Sequence, residues 1–417
     1  MSFFMVTNQC PFSPESKRNS VVRVELVYSP FDPAVIEDPF PVYARMRSEA
    51  PLYRNEALGF WALSRHADVA AALPDSDLYS SDHGPMIDPG AWGPKARSYL
   101  SFVAMDPPDH TRMRAIVARG FTQRRVAALE PMVRRMARAY VAAAVEKGSF
   151  DFATELSARL PLDVISELIG VPSSDRAEIR GRSDALLRYD PNGEMGEDGL
   201  TSIIGLGDYY ASVVAERRES PRDDLVSVLV ADDGLDDGEI VAFLMLLVGA
   251  GAETTTHLLN AAWYHAWRHP AQRAAAFAGA IGEWAAETLR YDTPAHGIAR
   301  RLTREIELYG ERLPPGAKIW LLIGSANRDE SAFPEAGAYD LTRDTSRAIS
   351  FGAGRHHCLG AALARLEARV TLEELVRAVE PDYDVDPSGI RRASHGNVRG
   401  MVTLPTTVQP RLRFGHG

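Results

Sequence analysis

The residue best suited to chemistry in this sequence is a cysteine set at a glycine-bracketed turn. Cys358 stands in Phe351-Gly352-Ala353-Gly354-Arg355-His356-His357-Cys358-Leu359-Gly360, directly ahead of the helical run Ala361 to Val370. A thiol at a helix start faces unpaired backbone N–H groups and the positive end of the helix dipole, which favour the thiolate, the form that binds a metal. Gly352 and Gly354 suit a tight turn that aims amides at the sulfur. A lone cysteine elsewhere is most often a small buried hydrophobe. A zinc site from His356, His357 and Cys358 would need three consecutive residues to converge on one tetrahedral ion, and no fourth ligand stands at a suitable spacing.

Three further groups combine polar chemistry with helical spacing. Ala250-Gly251-Ala252-Glu253-Thr254-Thr255 follows the apolar run Val241 to Val248, where a solvated polar patch is out of place. A Thr hydroxyl there can bond the carbonyl one turn back and bend the helix open. Glu287-Thr288-Leu289-Arg290 puts a carboxylate and a guanidinium on one helix face, a pairing that is abundant on solvated helices and weak evidence alone. In Asp106-Pro107-Pro108-Asp109-His110-Thr111-Arg112-Met113-Arg114, His110 and Arg114 are four apart near a Pro-introduced helix start, hence on one face, and the Arg fork suits a carboxylate.

The elements that must position these groups are mostly helices. The 417 residues are 45% hydrophobic and 24% charged, enough for a large core and unlike a disordered or fibrous chain. A formal net charge of −10 argues against a nucleic-acid surface. With Cys10 and Cys358 as the only cysteines, a disulfide framework is not expected. Met1 to Ser20 lacks a signal-peptide pattern, and the apolar run Ile240 to Ala252 is shorter than the roughly 20 residues a membrane span requires, so a cytoplasmic protein with no membrane association is expected. Residues 1–28 read as a detachable tail and 29–417 as one domain. Strand-like runs at Leu52 to Arg54, Phe60 to Ser64, Ile306 to Leu308 and Lys318 to Ile323 accompany helices from Pro107 to about Arg290 and from Cys358 to about Val379. One helix, Asp236 to about Arg268, is far longer than the 10–14 residues typical of globular helices. The fold class is mainly α with a small β region.

The segment Phe351 to Gly360 matches every fixed position of F-G-x-G-x-H-x-C-x-G, and in this it resembles the haem-binding loop of the cytochrome P450 family. The segments Ala250 to Thr255 and Glu287 to Arg290 resemble that family's A-G-x-[DE]-T-[TS] and E-x-x-R motifs, in family order along nearly the whole chain. The resemblance implies the triangular helical prism fold and a soluble, bacterial-type haem-thiolate monooxygenase binding haem b. Cys358 would ligate the iron, with Phe351 beneath the ring and Gly360 admitting the macrocycle. His110, Arg114, Arg300 and His356 would bind the propionates, Arg300 being favoured over Arg301. Gly251 beside Ala250 would leave room for dioxygen, while Thr254 and Glu253 would act as the catalytic alcohol and acid. Glu287 and Arg290, joined by Arg343, would be a buried structural support for the cysteine loop.

The same resemblance implies a hydrophobic small-molecule substrate that is hydroxylated or epoxidised, with electrons from NAD(P)H through a ferredoxin reductase and a ferredoxin. Arg112, Arg355 and Arg365 are expected to meet an acidic ferredoxin. Pro294 to Ile298, the Met401 region, the Ser81 to Phe102 loop and Leu186 to Gly205 fall where the family lines its substrate cavity. For His296, Arg399 and Trp92 core or surface roles are expected ahead of polar contacts there. Alternatives are a peroxygenase or an oxidative-coupling enzyme of the same fold, and a haem-based binding or gas-sensing protein without turnover. Glu253 with Thr254 argues against the peroxygenase.

Overall fold

The computed structural model describes residues 26–88, 90–186, 197–393 and 396–411. The helices that position the site are α1 (Asp109–Val117), α2 (Glu130–Lys147), α3 (Arg159–Ile169), α4 (Glu197–Glu219), α5 (Asp237–Arg268), α6 (Ile281–Tyr291) and α7 (Ala361–Ala378). Beside them stands a five-stranded sheet ordered β1–β2–β5–β4–β3, with β1 Leu52–Asn55, β2 Phe60–Leu63, β3 Tyr79–Ser80, β4 Ile298–Leu302 and β5 Lys318–Leu321. Its pairs are antiparallel except β2 with β5, which runs parallel with Trp61 opposite Ile319.

Local sequence sets the helix ends. Gly148 and Gly170, both at positive φ, terminate α2 and α3, where a side chain would be strained. The break expected at Asp190 to Gly193 lies outside the described residues. Asp236 opens α5 with a capping box: its carboxylate accepts the Glu239 N–H, and the Glu239 side chain accepts the Asp236 N–H.

The long helix α5 is the axle of the molecule, packed against α3, α4, α6 and α7. Its second half is buried from Thr255 to Ala266, with Trp263 stacked between Phe152 and Tyr383 at ring separations of 5.1 and 3.6 Å. Among the described residues it is the one helix long and apolar enough, by length and composition, to cross a membrane, and 28% of its most apolar window is buried.

Two expectations about boundaries change. Tyr28, assigned to the tail, is a core residue: its ring meets Tyr43, Tyr53 and Phe60, and its hydroxyl accepts the Trp320 indole N–H at 3.1 Å. Residues 1–25 of that tail lie outside the described residues. Helix α7 begins at Ala361 rather than at the cysteine: its first one-turn bond runs from the Ala364 N–H to the Gly360 carbonyl at 2.9 Å, while the Cys358 N–H donates to the Phe351 carbonyl at 2.8 Å and holds the preceding loop closed.

Candidate functional site

Helix α6 carries a buried ion pair that fixes the approach to the cysteine loop. Arg290 donates from Nη2 and Nε to the two Glu287 carboxylate oxygens at 2.7 and 2.8 Å, with both side chains excluded from solvent. Desolvating such a pair is costly unless the remaining donors and acceptors are also satisfied. Here they are: Arg290 also donates to the carbonyls of Asn327, Ala336 and Ala338, and Glu287 Oε1 accepts the Asp340 N–H at 3.0 Å. Arg343 adds an Nε contact to Glu287 Oε1 at 3.4 Å. Asn327 then passes the order on, accepting the Ile349 N–H and donating to Ser350 Oγ, both at 2.9 Å, immediately ahead of Phe351.

The loop thus anchored closes one side of a large, mostly apolar cavity. Gly352 and Gly354 both take φ of +69°, and a Cβ on Gly354 would lie 2.5 Å from the Pro74 backbone, so the turn excludes other residues. Cys358 lines the cavity, with the Gly360 N–H directed at its sulfur. Burial pushes the bare thiol up, and the Gly360 amide, Arg114 and Arg365 only partly offset it. Helix α7 starts three residues after Cys358, and the Gly360 N–H ahead of it is the backbone donor that favours the thiolate. Phe351 also lines the cavity and stacks beneath the Arg365 guanidinium, 4.3 Å from the ring centroid. A Cβ at Gly360 would meet nothing within 4 Å, which leaves an open flank for a flat group.

Helix α5 forms the opposite wall through Ala250, Gly251 and Thr254. Thr254 Oγ1 donates to the Ala250 carbonyl at 2.8 Å, and Thr255 and Thr256 make the same one-turn bond, so three side chains load consecutive carbonyls of this turn. A Cβ on Gly251 would lie 2.7 Å from Ile165 Cδ1 of α3, so its small size serves the helix crossing as well as the cavity. Glu253 is not part of the cavity lining. It turns to His257, one turn on, with Oε1 3.6 Å from Nε2. Acid and alcohol therefore face different surroundings, which the motif alone did not reveal.

At one end of the cavity the cations gather with no acid in ion-pair contact; the neighbouring Asp106 accepts from Ser80 and Ser81 and reaches Arg300 and His110 only through space. Arg300 on β4 is 3% exposed, and its Nη1 donates only to the Ala299 carbonyl at 2.9 Å; burial holds it down to about 10. Strand alternation sends its neighbour Arg301 to the other face, where it pairs with Asp82. Arg114 lines the cavity and donates to the His357 carbonyl at 2.7 Å. His356 also lines it, bonded to Ser81 Oγ at 3.1 Å and held down to about 2 by burial and by Arg300, His110 and Arg114. His110 packs behind it at a tilt, 4.2 Å between ring centroids, and both its ring nitrogens are buried without a partner.

Burying a guanidinium without a counter-charge is expensive. Two carboxylates of a flat cofactor would satisfy Arg300, Arg114 and the two imidazoles, while its metal could meet the Cys358 sulfur. The residues fit that group, and fold and site together define a haem-thiolate class.

Comparison with known proteins agrees. Residues 284–407 match the family model described as Cytochrome P450. A putative cytochrome P450 123 of Mycobacterium tuberculosis is 46% identical over 395 residues, covering 93% of this chain and 98% of its own. A vitamin D(3) 25-hydroxylase of Pseudonocardia autotrophica is 35% identical over 390 residues, covering 90% and 95%. The structure of CYP109Q5 from Chondromyces apiculatus superimposes with a TM-score of 0.84 at 34% identity, covering 92% of this chain and 98% of that one. The chain belongs to the cytochrome P450 family, as a bacterial-type monooxygenase that binds haem b.

Other sequence-selected residues fall elsewhere. Pro294, Ala295, Ile298 and Phe102 line the cavity, but Met401 is in the core and does not. His296 bonds the Tyr43 hydroxyl at 3.2 Å and Arg399 pairs with Asp292 at 3.0 Å, so both serve a buried network away from the cavity. Trp92 lies under the Lys318 ammonium, 4.9 Å from its ring centroid. Leu186 to Gly205 lies partly outside the described residues. Sequence reasoning missed Glu367, a buried carboxyl that lines the cavity. Its signal was a charge on the buried stripe of α7, one turn from Leu363 and Val370.

Proposed function

We propose that this chain hydroxylates or epoxidises a neutral, hydrophobic small molecule in the cytoplasm, taking electrons from NAD(P)H through a ferredoxin reductase and a ferredoxin. The observation that carries the substrate class is the wall facing Cys358: Phe102, Val103, Phe243, Leu246, Leu247 and Ile298 offer apolar contact and no charge. An apolar pocket of this kind binds by desolvation and leaves any charged substrate group unpaired. The relative named for vitamin D(3), an apolar molecule, supports the same reading.

Haem, when bound, supplies dioxygen activation at its iron, favoured by electron donation from a cysteine thiolate. The chain's residues do the rest. Cys358 would hold the metal, while Arg300, Arg114, His110 and His356 would hold the carboxylates and orient the cofactor. Thr254, with its hydroxyl on the cavity wall, holds a proton at Oγ1 beside the reacting centre, and Glu253 feeds it through water. Glu287, Arg290 and Arg343 keep the sulfur in place.

For the electron donor, Arg355 and Arg365 are exposed on the cysteine side and suit an acidic ferredoxin. Arg112 does not suit it: its guanidinium is engaged by Glu239 and the Gly234 carbonyl. Charge reversal at Arg355 and Arg365 should slow ferredoxin-dependent reduction and weaken its salt dependence, while reversal at Arg112 should not.

The test of the function is a panel of neutral steroids, terpenoids and matched carboxylic acids, scored by displacement of iron-bound water in the haem spectrum and by product analysis under ferredoxin, reductase and NADPH. Neutral ligands should bind and gain one oxygen atom. Preference for the acids, or turnover with hydrogen peroxide alone unaffected by Thr254→Ala, would overturn the reading.

A further inference from the structure

His257, on the buried half of α5, is an imidazole set between a loop backbone and a carboxylate. It is 4% exposed, and neither ring nitrogen has a hydrogen-bond partner. One edge of the ring rests on Gly400: a Cβ there would lie 2.0 Å from His257 Cγ and 2.1 Å from Nδ1, so any side chain at that position would displace the ring. Asn260, one turn further along α5, fastens the same loop by donating to the Met401 carbonyl at 2.9 Å. The other edge faces Glu253, with Nε2 3.6 Å from Oε1. A buried imidazole with no hydrogen bond is a standing cost that a leucine of similar size would remove. Two positions far apart in the chain, His257 and Gly400, are thus committed to seating a ring that braces no neighbour by hydrogen bond, and the ionisable group it meets is Glu253.

Helical spacing places this pair beside the site. Glu253 and His257 are i and i+4 and share one strip of α5, next to the strip of Ala250, Thr254 and Leu258 that lines the cavity. The oxygen insertion proposed above takes substrate, dioxygen, two electrons and two protons to the hydroxylated product and one water, so two protons must reach the Thr254 side in each turnover. With Glu253 as the acid that feeds Thr254 through water, its carboxyl has to return to one place each time, and a glutamate has three side-chain torsions to fix before it does so. We infer that His257 is the positioning residue of this proton supply: its imidazole, seated on Gly400, holds the Glu253 carboxyl on the strip beside Thr254. At 3.6 Å the hold is electrostatic, longer than a hydrogen bond. This deepens, and rests on, the monooxygenase reading with Glu253 as the acid.

The experiment compares the holoenzyme with His257→Leu, which fills the same space and cannot hold a carboxyl, with His257→Gln, which can still offer Glu253 an amide N–H, and with Glu253→Gln. The first readout needs no turnover: nitrogen NMR of histidine-labelled protein in the diamagnetic, reduced and carbon monoxide-bound form, the His257 signal being assigned by its loss in His257→Gln. Glu253→Gln should shift that signal, and the comparison decides even if His257→Leu fails to fold. The second readout is dioxygen consumption with an added ferredoxin, its reductase and NADPH. His257→Leu should slow it by roughly tenfold, within the roughly 100-fold that a misplacement of about 1 Å can cost, and raise its solvent isotope effect. His257→Gln should recover most of the rate. A merely structural ring would leave the isotope effect where it is. An unchanged His257 signal in Glu253→Gln overturns the inference, as does a wild-type rate and isotope effect in His257→Leu while Glu253→Gln is slow. A wild-type rate in Glu253→Gln itself would remove the acid's role and the inference with it. Failure of the monooxygenase reading shows elsewhere, as absence of oxygenated product from the neutral panel with the wild-type enzyme.

Discussion

Two buried polar clusters flank the cavity, and they differ in one respect. Around Glu287 and Arg290 the donors and acceptors close on one another, down to the carbonyls of Asn327, Ala336 and Ala338. Around Arg300 the accounts stay open: its guanidinium bonds only a neighbouring carbonyl, and the His110 nitrogens bond nothing. A closed cluster holds shape, and an open one whose cations lack an ion-pair partner awaits a ligand of the other sign. The contrast teaches that burial of charge does not identify a binding site; burial without satisfaction does.

The sharpest way to break the comparison is to open the closed cluster. Arg290→Ala leaves Glu287 buried and unpaired, and is expected to cost about 3–5 kcal/mol, enough to prevent recovery of folded holoprotein. Expression and thermal unfolding report it. The open cluster should respond in the opposite sense. Arg300→Leu should leave the apoprotein equally or more stable, because it removes an unpaired buried charge, while weakening haem binding by roughly 10–100-fold, the range seen when outer partners of a metal group are lost. Haem titration together with denaturant unfolding of the apoprotein separates the two effects.

Smaller effects sharpen the same contrast. Glu367 is open but acidic, and its carboxyl stays protonated in the fold up to about pH 8, against an ordinary value of 4.5. Between those values the folded state binds more protons than the unfolded chain, so folding stability declines as pH rises through that window. Glu367→Gln should remove this decline, seen as a smaller difference between apoprotein denaturation midpoints at pH 6 and pH 8. Arg301→Ala should matter least, at about 0–1 kcal/mol, since its pair with Asp82 is partly solvated.

What sequence made legible follows from how local each feature is. Cys358, its glycines and the ends of α5 are written in contiguous residues, because turns and caps depend on neighbours within a few positions. The choice of Arg300 over Arg301 rested on the family resemblance, whereas the strand alternation that turns the two to opposite faces is a feature of the folded sheet. The direction of Glu253 was not legible, since it depends on the choice between the cavity and His257. Nor was the neutralisation of Arg112, whose partner Glu239 lies 127 residues away along the chain. The late start of α7 was hidden as well, since the first one-turn bond, Ala364 N–H to the Gly360 carbonyl, is displayed only by the folded loop.

The central claim is that the Cys358 sulfur, as thiolate, holds the haem iron, and carbon monoxide added to the dithionite-reduced holoprotein tests it most directly. A strongly red-shifted Soret band in wild type, lost in Cys358→Ser, is the expected result. A band at the ordinary position in wild type, or a red-shifted band that survives the serine substitution, would contradict it.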